Sequence, residues 1–320
     1  TTKSFSAKVL DDFSSPKVAP ISFDIHYFNI FVGANIKNLV NAEMQIEKEH
    51  GGDDQQVRFA QLDLLFHPLA IVRLGKFLIP MGTFNEYLYP EYITRGVERP
   101  FPLLAIVPVA WPEVGAQIRG KYEFGIGQNI NYAFYVVNGL EQDDSDPKNG
   151  IDDGGDIRKM RYNHIDANSD DKAFGGRIGA RLIPNLDFGV SGYTGGYTID
   201  GKKRLSIFDF DTTYSWEKLS LNGEFVMGLQ DSSKGTEIKQ GFYVQAAYRL
   251  FDFFEPVLQY DTISFSRDTK NNKQRVTLSL NFFPFAKEIP NLVLKSGYSY
   301  TIQKDNIAPH KIIVQAAIGF

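Results

Sequence analysis

The 320-residue sequence has no cysteine, only 4 methionines and 2 tryptophans, and no apolar run long enough to make a membrane-crossing helix. The missing cysteine excludes a disulfide scaffold, a thiolate metal site, a covalently attached c-type haem and a Cys nucleophile. Charge of one sign is also missing: 34 Lys plus Arg against 38 Asp plus Glu leave a formal charge of -4, with no global basic footprint, so nucleic acid is not an expected partner. A spanning helix needs roughly 18 apolar residues. The longest candidate, residues 103–111, contains Pro108. The chain opens Thr1-Thr2-Lys3, without a basic start and apolar core, as expected of a cytoplasmic chain or of an exported chain whose signal peptide has been removed. What is abundant is hydrophobic residues (43%), 28 Gly, 26 Phe and 16 Tyr. That is too apolar for disorder and suits many strands.

One pattern recurs along the chain. Val114, Ala116, Ile118, Gly120 and Tyr122 alternate with Glu113, Gly115, Gln117, Arg119 and Lys121. Val276, Leu278, Leu280 and Phe282 alternate with Arg275, Thr277, Ser279 and Asn281. Period two means a strand with one dry and one wet face. Fifteen segments read this way, near 23–34, 38–50, 56–66, 70–78, 113–124, 128–138, 173–183, 186–197, 204–214, 218–230, 240–250, 254–265, 274–284, 291–302 and 310–320. Parity is least clear at 204–214, where Asp209 and Asp211 confuse it. About ten residues per segment suits a tilted bilayer-crossing strand. Connections alternate between short turns and longer loops, the longest being 79–112 and 139–172, as in bacterial outer-membrane barrels. If the last strand ends on the short-turn side, parity requires a strand before 23–34. Residues 3–13, with Phe5, Ala7 and Val9 alternating, supply it. The expectation is an all-β, 16-stranded antiparallel transmembrane barrel, one domain over 1–320, with long external loops and short periplasmic turns. Aromatic girdles are expected from Phe251, Phe253, Phe254, Phe282, Phe283, Phe285 and Phe320 on one side, and from Tyr193, Tyr197, Tyr298 and Tyr300 on the other.

Particular residues carry a resemblance. Val72-Arg73-Leu74-Gly75-Lys76-Phe77 with Pro80 and Gly82, Arg99-Pro100, and Trp111-Pro112-Glu113-Val114-Gly115 followed by residues 118–120 and 132–139 resemble the phosphate-selective porins O and P and their porin relatives. The likeness runs over roughly 38–140 and is architectural beyond. It implies an outer-membrane channel in a Gram-negative bacterium, a sixteen-stranded barrel assembled as a homotrimer, and a third external loop folded inward. The terminal Phe320 is similar to the signal read by the barrel-assembly machinery. Loop 79–112 has no lysine, where phosphate-specific members use lysines, so phosphate specificity does not carry over.

The expected function is a water-filled pore for passive diffusion of small hydrophilic solutes, in contact with outer-membrane lipid and without a cofactor. Loop 79–112 is expected to fold into the lumen and bury Phe84, Tyr87, Tyr89, Tyr92, Phe101 and the 103–111 run, with Arg95, Glu98 and Arg99 at the constriction. The alternative for Glu98 and Arg99 is that they pin the loop to the wall by ion pairs. The wet wall carries Arg73, Arg119, Lys121, Arg177, Arg181, Arg249, Arg275, Lys295 and Lys311 against Glu43, Glu47, Asp63, Glu113, Asp187 and Glu224. Nine to six implies a weak anion preference. The acidic loop 139–172 reads as a solvated external surface that would repel anions at the mouth. Calcium there is left open, because the spacing matches no EF-hand. Two other functions stay in view. A hydrolase would need one of His26, His50, His67, His164 or His310 as its base, and no Gly-x-Ser-x-Gly or His-Glu-x-x-His motif is present. A barrel sheathing an electron-transfer cytochrome would leave any haem on the partner.

Overall fold

The computed structural model describes residues 2–12, 22–49, 54–141, 157–162, 171–198, 201–303 and 310–319. The strands are β1 (Thr2–Asp12), β2 (Ser22–Ile36), β3 (Val40–Glu49), β4 (Asp54–His67), β5 (Ala70–Leu78), β6 (Pro112–Phe124), β7 (Gln128–Val137) and β8 (Ala173–Ile183). They continue as β9 (Leu186–Gly196), β10 (Arg204–Trp216), β11 (Leu219–Gln230), β12 (Glu237–Tyr248), β13 (Phe254–Phe265), β14 (Lys273–Phe282), β15 (Leu292–Gln303) and β16 (His310–Gly319). β2 to β16 form one antiparallel sheet in chain order, and β1 pairs with both β2 and β16, so the sheet closes on itself.

Among the described residues the tight turns lie at one end. Several are set by left-handed residues: Lys37 and Asn38, Asn185, Glu217, and Gly125 and Gly127. Such positions give two-residue hairpins the twist of their flanking strands. Alternation fixes the faces. On β12, Phe242 (39%) and Val244 (53%) point outward and exposed, while Tyr243 (2%) and Gln245 (6%) point inward and buried. No described helix is long and apolar enough to cross a membrane.

Three details depart from the sequence reading. β12 runs from Glu237 to Tyr248, starting three residues before the expected 240, where Glu237 pairs with Gln230 of β11, and ending two before 250, where Phe251 bridges Phe254 in the turn. On β10, Asp209 and Asp211 do face inward, but so do Leu205 and Ile207, while Phe208 and Phe210 face out. On β4, a bulge opposite Gln45/Ile46 turns Arg58 inward.

The barrel's apolar core lies in the lumen. Phe77, Ile79, Met81, Phe84, Leu103, Ile106, Val109 and Trp111 come from the long loop and its roots, and Ile157 and Met160 from the next one. They pack on Tyr135, Tyr193, Leu205, Ile207 and Tyr243 of the wall. Each large apolar side chain so buried stabilises by about 1.5–3 kcal/mol. This explains why β10 is apolar on its lumen face near one end. It also moves Tyr193 (3%) and Tyr197 (1%) from the expected girdle into this interior. Tyr298, Tyr300, Phe251, Phe253, Phe282 and Phe285 are exposed on the outside. Phe320 lies outside the described residues.

Candidate functional site

Loop 79–111 starts and ends at one point. The Ile79 amide donates to the Trp111 carbonyl (3.2 Å). The Asn85 amide group donates to the Ile79 carbonyl (2.8 Å) and accepts from the Trp111 N–H (2.8 Å), clamping both roots. The indole of Trp111 donates to Glu113 (2.8 Å), whose other oxygen accepts from Gly139 (3.2 Å).

From this clamp the loop crosses the lumen and is tied to the wall in several places. First come β9 to β11. Gly82 N–H donates to Ser191 Oγ (3.0 Å), the Thr83 hydroxyl to Asp211 (2.6 Å) and Phe84 N–H to Glu224 (2.7 Å). Gly82 has φ +64, and a Cβ there would lie 2.5 Å from Glu224 Oε2, so both backbone and space demand glycine. The Tyr89 hydroxyl then donates to Gln45. Burial, and next the Glu47 charge, push that phenol well above its usual range, so it stays a donor.

The second set of ties spans β12 to β16. Lys295 donates to the carbonyls of Glu91 and Thr94, and Gln315 to Glu91 (2.8 Å). Asn281 donates to the Arg95 carbonyl (3.0 Å). Glu98 pairs with Lys311 (2.8 Å) and Arg275 (3.2 Å). Arg275 also pairs with Asp261 (3.1 Å), donates to the Arg99 carbonyl (2.6 Å) and lies over the Phe101 ring (4.1 Å).

Against β6 to β8 the loop meets the wall at Arg119, and beside that contact a cavity of about 490 Å³ opens. On the loop side it is bordered by Thr83, Glu86 and Tyr87; on the wall by Arg119, Lys121, Asn129, Asn131, Arg177, Arg181 and Asp187. The register places Arg119 level with Arg177, with Ala133 between them. Two strand spacings separate these cations, about 10 Å at the backbone. Arg119 donates to Glu86 (2.7 Å) and to the Tyr87 hydroxyl (3.2 Å). Arg177 holds Asp211 through two nitrogens (3.0 and 2.7 Å). It reaches across two bare positions: a Cβ on Gly179 would lie 2.6 Å from its Nη1, and one on Gly189 2.1 Å from its Nη2.

The expected constriction residues fall on the pinned side. Glu98 is buried in its two ion pairs. Arg99 pairs with Glu91 (3.6 Å) and lies over the Tyr27 ring (5.5 Å). Arg95 is more open, 3.5 Å from Glu255, which Arg249 shares at the same distance. Arg249 also lies over the Phe283 ring. Several expected lining residues are similarly enclosed: Lys295 (2%), Arg275 (5%), Glu113 (0%) and Glu224 (3%). Arg73 is held bidentate by Asp63 (2.7 and 2.8 Å). Tyr87, expected to be buried, is half exposed at the cavity (50%).

The charge excess on the wall shrinks. Asp209, Asp211, Glu237, Glu255 and Asp261 face inward beside the expected acids, and so does Glu49, paired with Arg58; the added bases are Arg58, Lys239 and Lys273, the last lying over the Phe101 ring of the inserted loop. The added acids outnumber the added bases. Confused parity hid the two β10 aspartates, and the bulge hid Arg58, which pairs with Glu47 and Glu49 and donates to the Ala110 carbonyl (3.3 Å). Most of the acidic 139–172 loop, including Asp143 to Asp156 and Asp166, lies outside the described residues, as do His50 and His164. Among the described residues no group of three or more His, Asp or Glu could hold a metal ion.

A closed antiparallel barrel with an apolar outside, a polar lumen and an inserted loop defines the porin fold, and solved structures agree. The anion-selective porin from Comamonas acidovorans superposes with a TM-score of 0.71 at 12% identity, covering 100% of this chain and 99% of that one. The outer membrane channel DcaP of Acinetobacter baumannii gives 0.65 at 10% (100% and 96%), and OmpT, an outer membrane protein of Vibrio cholerae, gives 0.62 at 11% (100% and 97%). No family model matches the chain. A protein of Aquifex aeolicus described as uncharacterized is 30% identical over 321 aligned residues, covering 88% of this chain and 71% of the relative. The chain belongs to the same family as that Aquifex protein.

Proposed function

We propose that this chain is an outer-membrane porin, a sixteen-stranded barrel whose long loops face outward and whose tight turns face the periplasm, carrying small hydrophilic solutes by diffusion. One observation carries the reading. The outer wall is a band of exposed apolar side chains, such as Val190 (59%), Leu258 (54%) and Val314 (50%), while the lumen keeps a polar cavity along β6 to β8. Hydrocarbon outside and water inside account for both. The constriction then falls along the cavity lined by Glu86, Tyr87, Arg119 and Arg177, and not at Arg95, Glu98 and Arg99. The anion preference is carried by the cavity, where Arg119, Lys121, Arg177 and Arg181 outnumber Glu86 and Asp187. Assembly as a homotrimer follows the resemblance to porins O and P; an OmpT structure from Vibrio cholerae is described as a trimer form.

Ion conductance of the refolded protein in a planar bilayer tests the channel. Absence of any current, or a protein monodisperse in buffer without amphiphile, overturns it. The cytochrome-sheath alternative is disfavoured by a lumen already crossed by the protein's own loop. For the hydrolase, His67 accepts from the Leu69 amide (3.1 Å) in a tight turn and His310 stacks near Tyr298 and Tyr300 on the outer rim. Hydrolysis of lipid or peptide by the detergent-solubilised protein would revive it.

A further inference from the structure

We propose that the cavity between the loop and β6 to β8 is a saturable binding site for a small carboxylate solute, held at Arg181 and Lys121; this rests on the channel reading. The cations here divide by depth. Arg119 and Arg177 share the inner level and are committed to protein, the first to Glu86 and Tyr87, the second to Asp211, which is fully buried and holds Thr83. They fix the loop. Lys121 pairs across with Asn131, and Arg181 with Asn129, so these two lie successively nearer the turns.

The outer pair is exchangeable. The Lys121 and Arg181 side chains are 51% and 40% exposed, and their partners Glu123 and Asp187 are 70% and 29% exposed. Exposed ion pairs are worth little against water, so an incoming anion can replace the protein carboxylate at small cost. Arg181 grips Asp187 through Nε (3.0 Å) and Nη2 (2.6 Å), a fork that fits a planar carboxylate. Asn131, whose Oδ1 accepts from Arg177 (3.3 Å) and whose amide hydrogens reach Asn129 only at 3.4 Å, has an N–H to offer an oxygen of the solute. A volume of about 490 Å³ is that of a site for a small organic molecule, far larger than an inorganic ion needs.

Succinate is the probe. Binding to the refolded, detergent-solubilised protein is measured by calorimetry, and block of single-channel current in a planar bilayer, with phosphate and glucose as competitors. Saturable succinate binding and matching block are expected, weakened about tenfold or more in Arg181→Gln and in Lys121→Gln. Lys234→Gln, on a distant loop, is expected to bind as the parent does. Both charge variants alter half-exposed side chains, and melting of the barrel checks that they fold. Current without saturable binding, unchanged binding in both variants, or phosphate competing as well as succinate overturns the proposal alone. Absence of current in every variant overturns the channel reading beneath it.

Discussion

The two sides of the lumen use the same residue types for opposite ends. On β12 to β16, arginine, lysine and carboxylate side chains are nearly dry and gripped from several directions: Arg275 touches Asp261, Glu98, the Arg99 carbonyl and Phe101. On β6 to β8, Arg119 reaches Glu86 of the loop and Arg177 grips the buried Asp211, while the pairs of Lys121 and Arg181 run along the wall, partly exposed beside open space. A buried charge left without its partner is costly, so the first kind fixes position. A pair in water is cheap to open, so the second kind can meet solute. Charge counted along a strand cannot separate the two; the path of the loop does.

The sharpest way to break this comparison is Arg275→Met. Removing one member of a buried ion pair costs about 3–5 kcal/mol, because the remaining carboxylates stay desolvated. Asp261 would be left so, while Glu98 would keep Lys311, one of the two cations it pairs with now. The expected outcome is a lower melting temperature of the refolded barrel and a larger, noisier single-channel current as the loop comes away from β13 and β14. A quiet trace at parental conductance would mean that the loop is held elsewhere.

Gly189→Ala probes the open side with a smaller effect. The added Cβ would lie 2.1 Å from Arg177 Nη2 and 2.2 Å from Asp211 Oδ2, so the pair must shift, and Asp211 is what Thr83 holds. Overpacking of this kind costs about 1–3 kcal/mol. The expected result is a modest loss of thermal stability and a change in conductance at the cavity, with the β12–β16 ties intact. Equal conductance in parent and variant would show that the Arg177–Asp211 bridge has no hold on the loop.

Much of the barrel was legible because its outer face has one physical demand. A side chain against hydrocarbon must be apolar, so Val276, Leu278, Leu280 and Phe282 announce β14. The lumen face has no such single demand. Where it meets water it is polar; where it meets the inserted loop it is apolar, as at Leu205 and Ile207, and there period two dissolves. The loop's end was readable from prolines and aromatics that need burial, but its path was not. Glu86 borders the cavity and Glu98 is pinned, yet nothing in the spacing of these two acids distinguishes them. Their roles come from which strands stand opposite, a property of the closed sheet. Arg58 was lost for a local reason, since one bulge residue reverses the faces beyond it.

The subtlest effect expected is on selectivity, through Arg119→Gln. This removes a cation from the inner level and leaves Glu86 facing the more distant Arg73, 4.0 Å away. Both changes make the passage more negative, so the anion-to-cation permeability ratio should fall. The gap between Arg119 and Arg177 is about the Debye length at 0.1 M salt, roughly 10 Å, and three times that at 1 M. The shift in reversal potential should therefore be clear in a dilute gradient and fade in a concentrated one. Arg95→Gln, across the lumen at Glu255, should move it less. If Arg95→Gln produced the larger shift, ions would be passing along the pinned wall, and the division of the lumen into a holding side and a conducting side would have to be reversed.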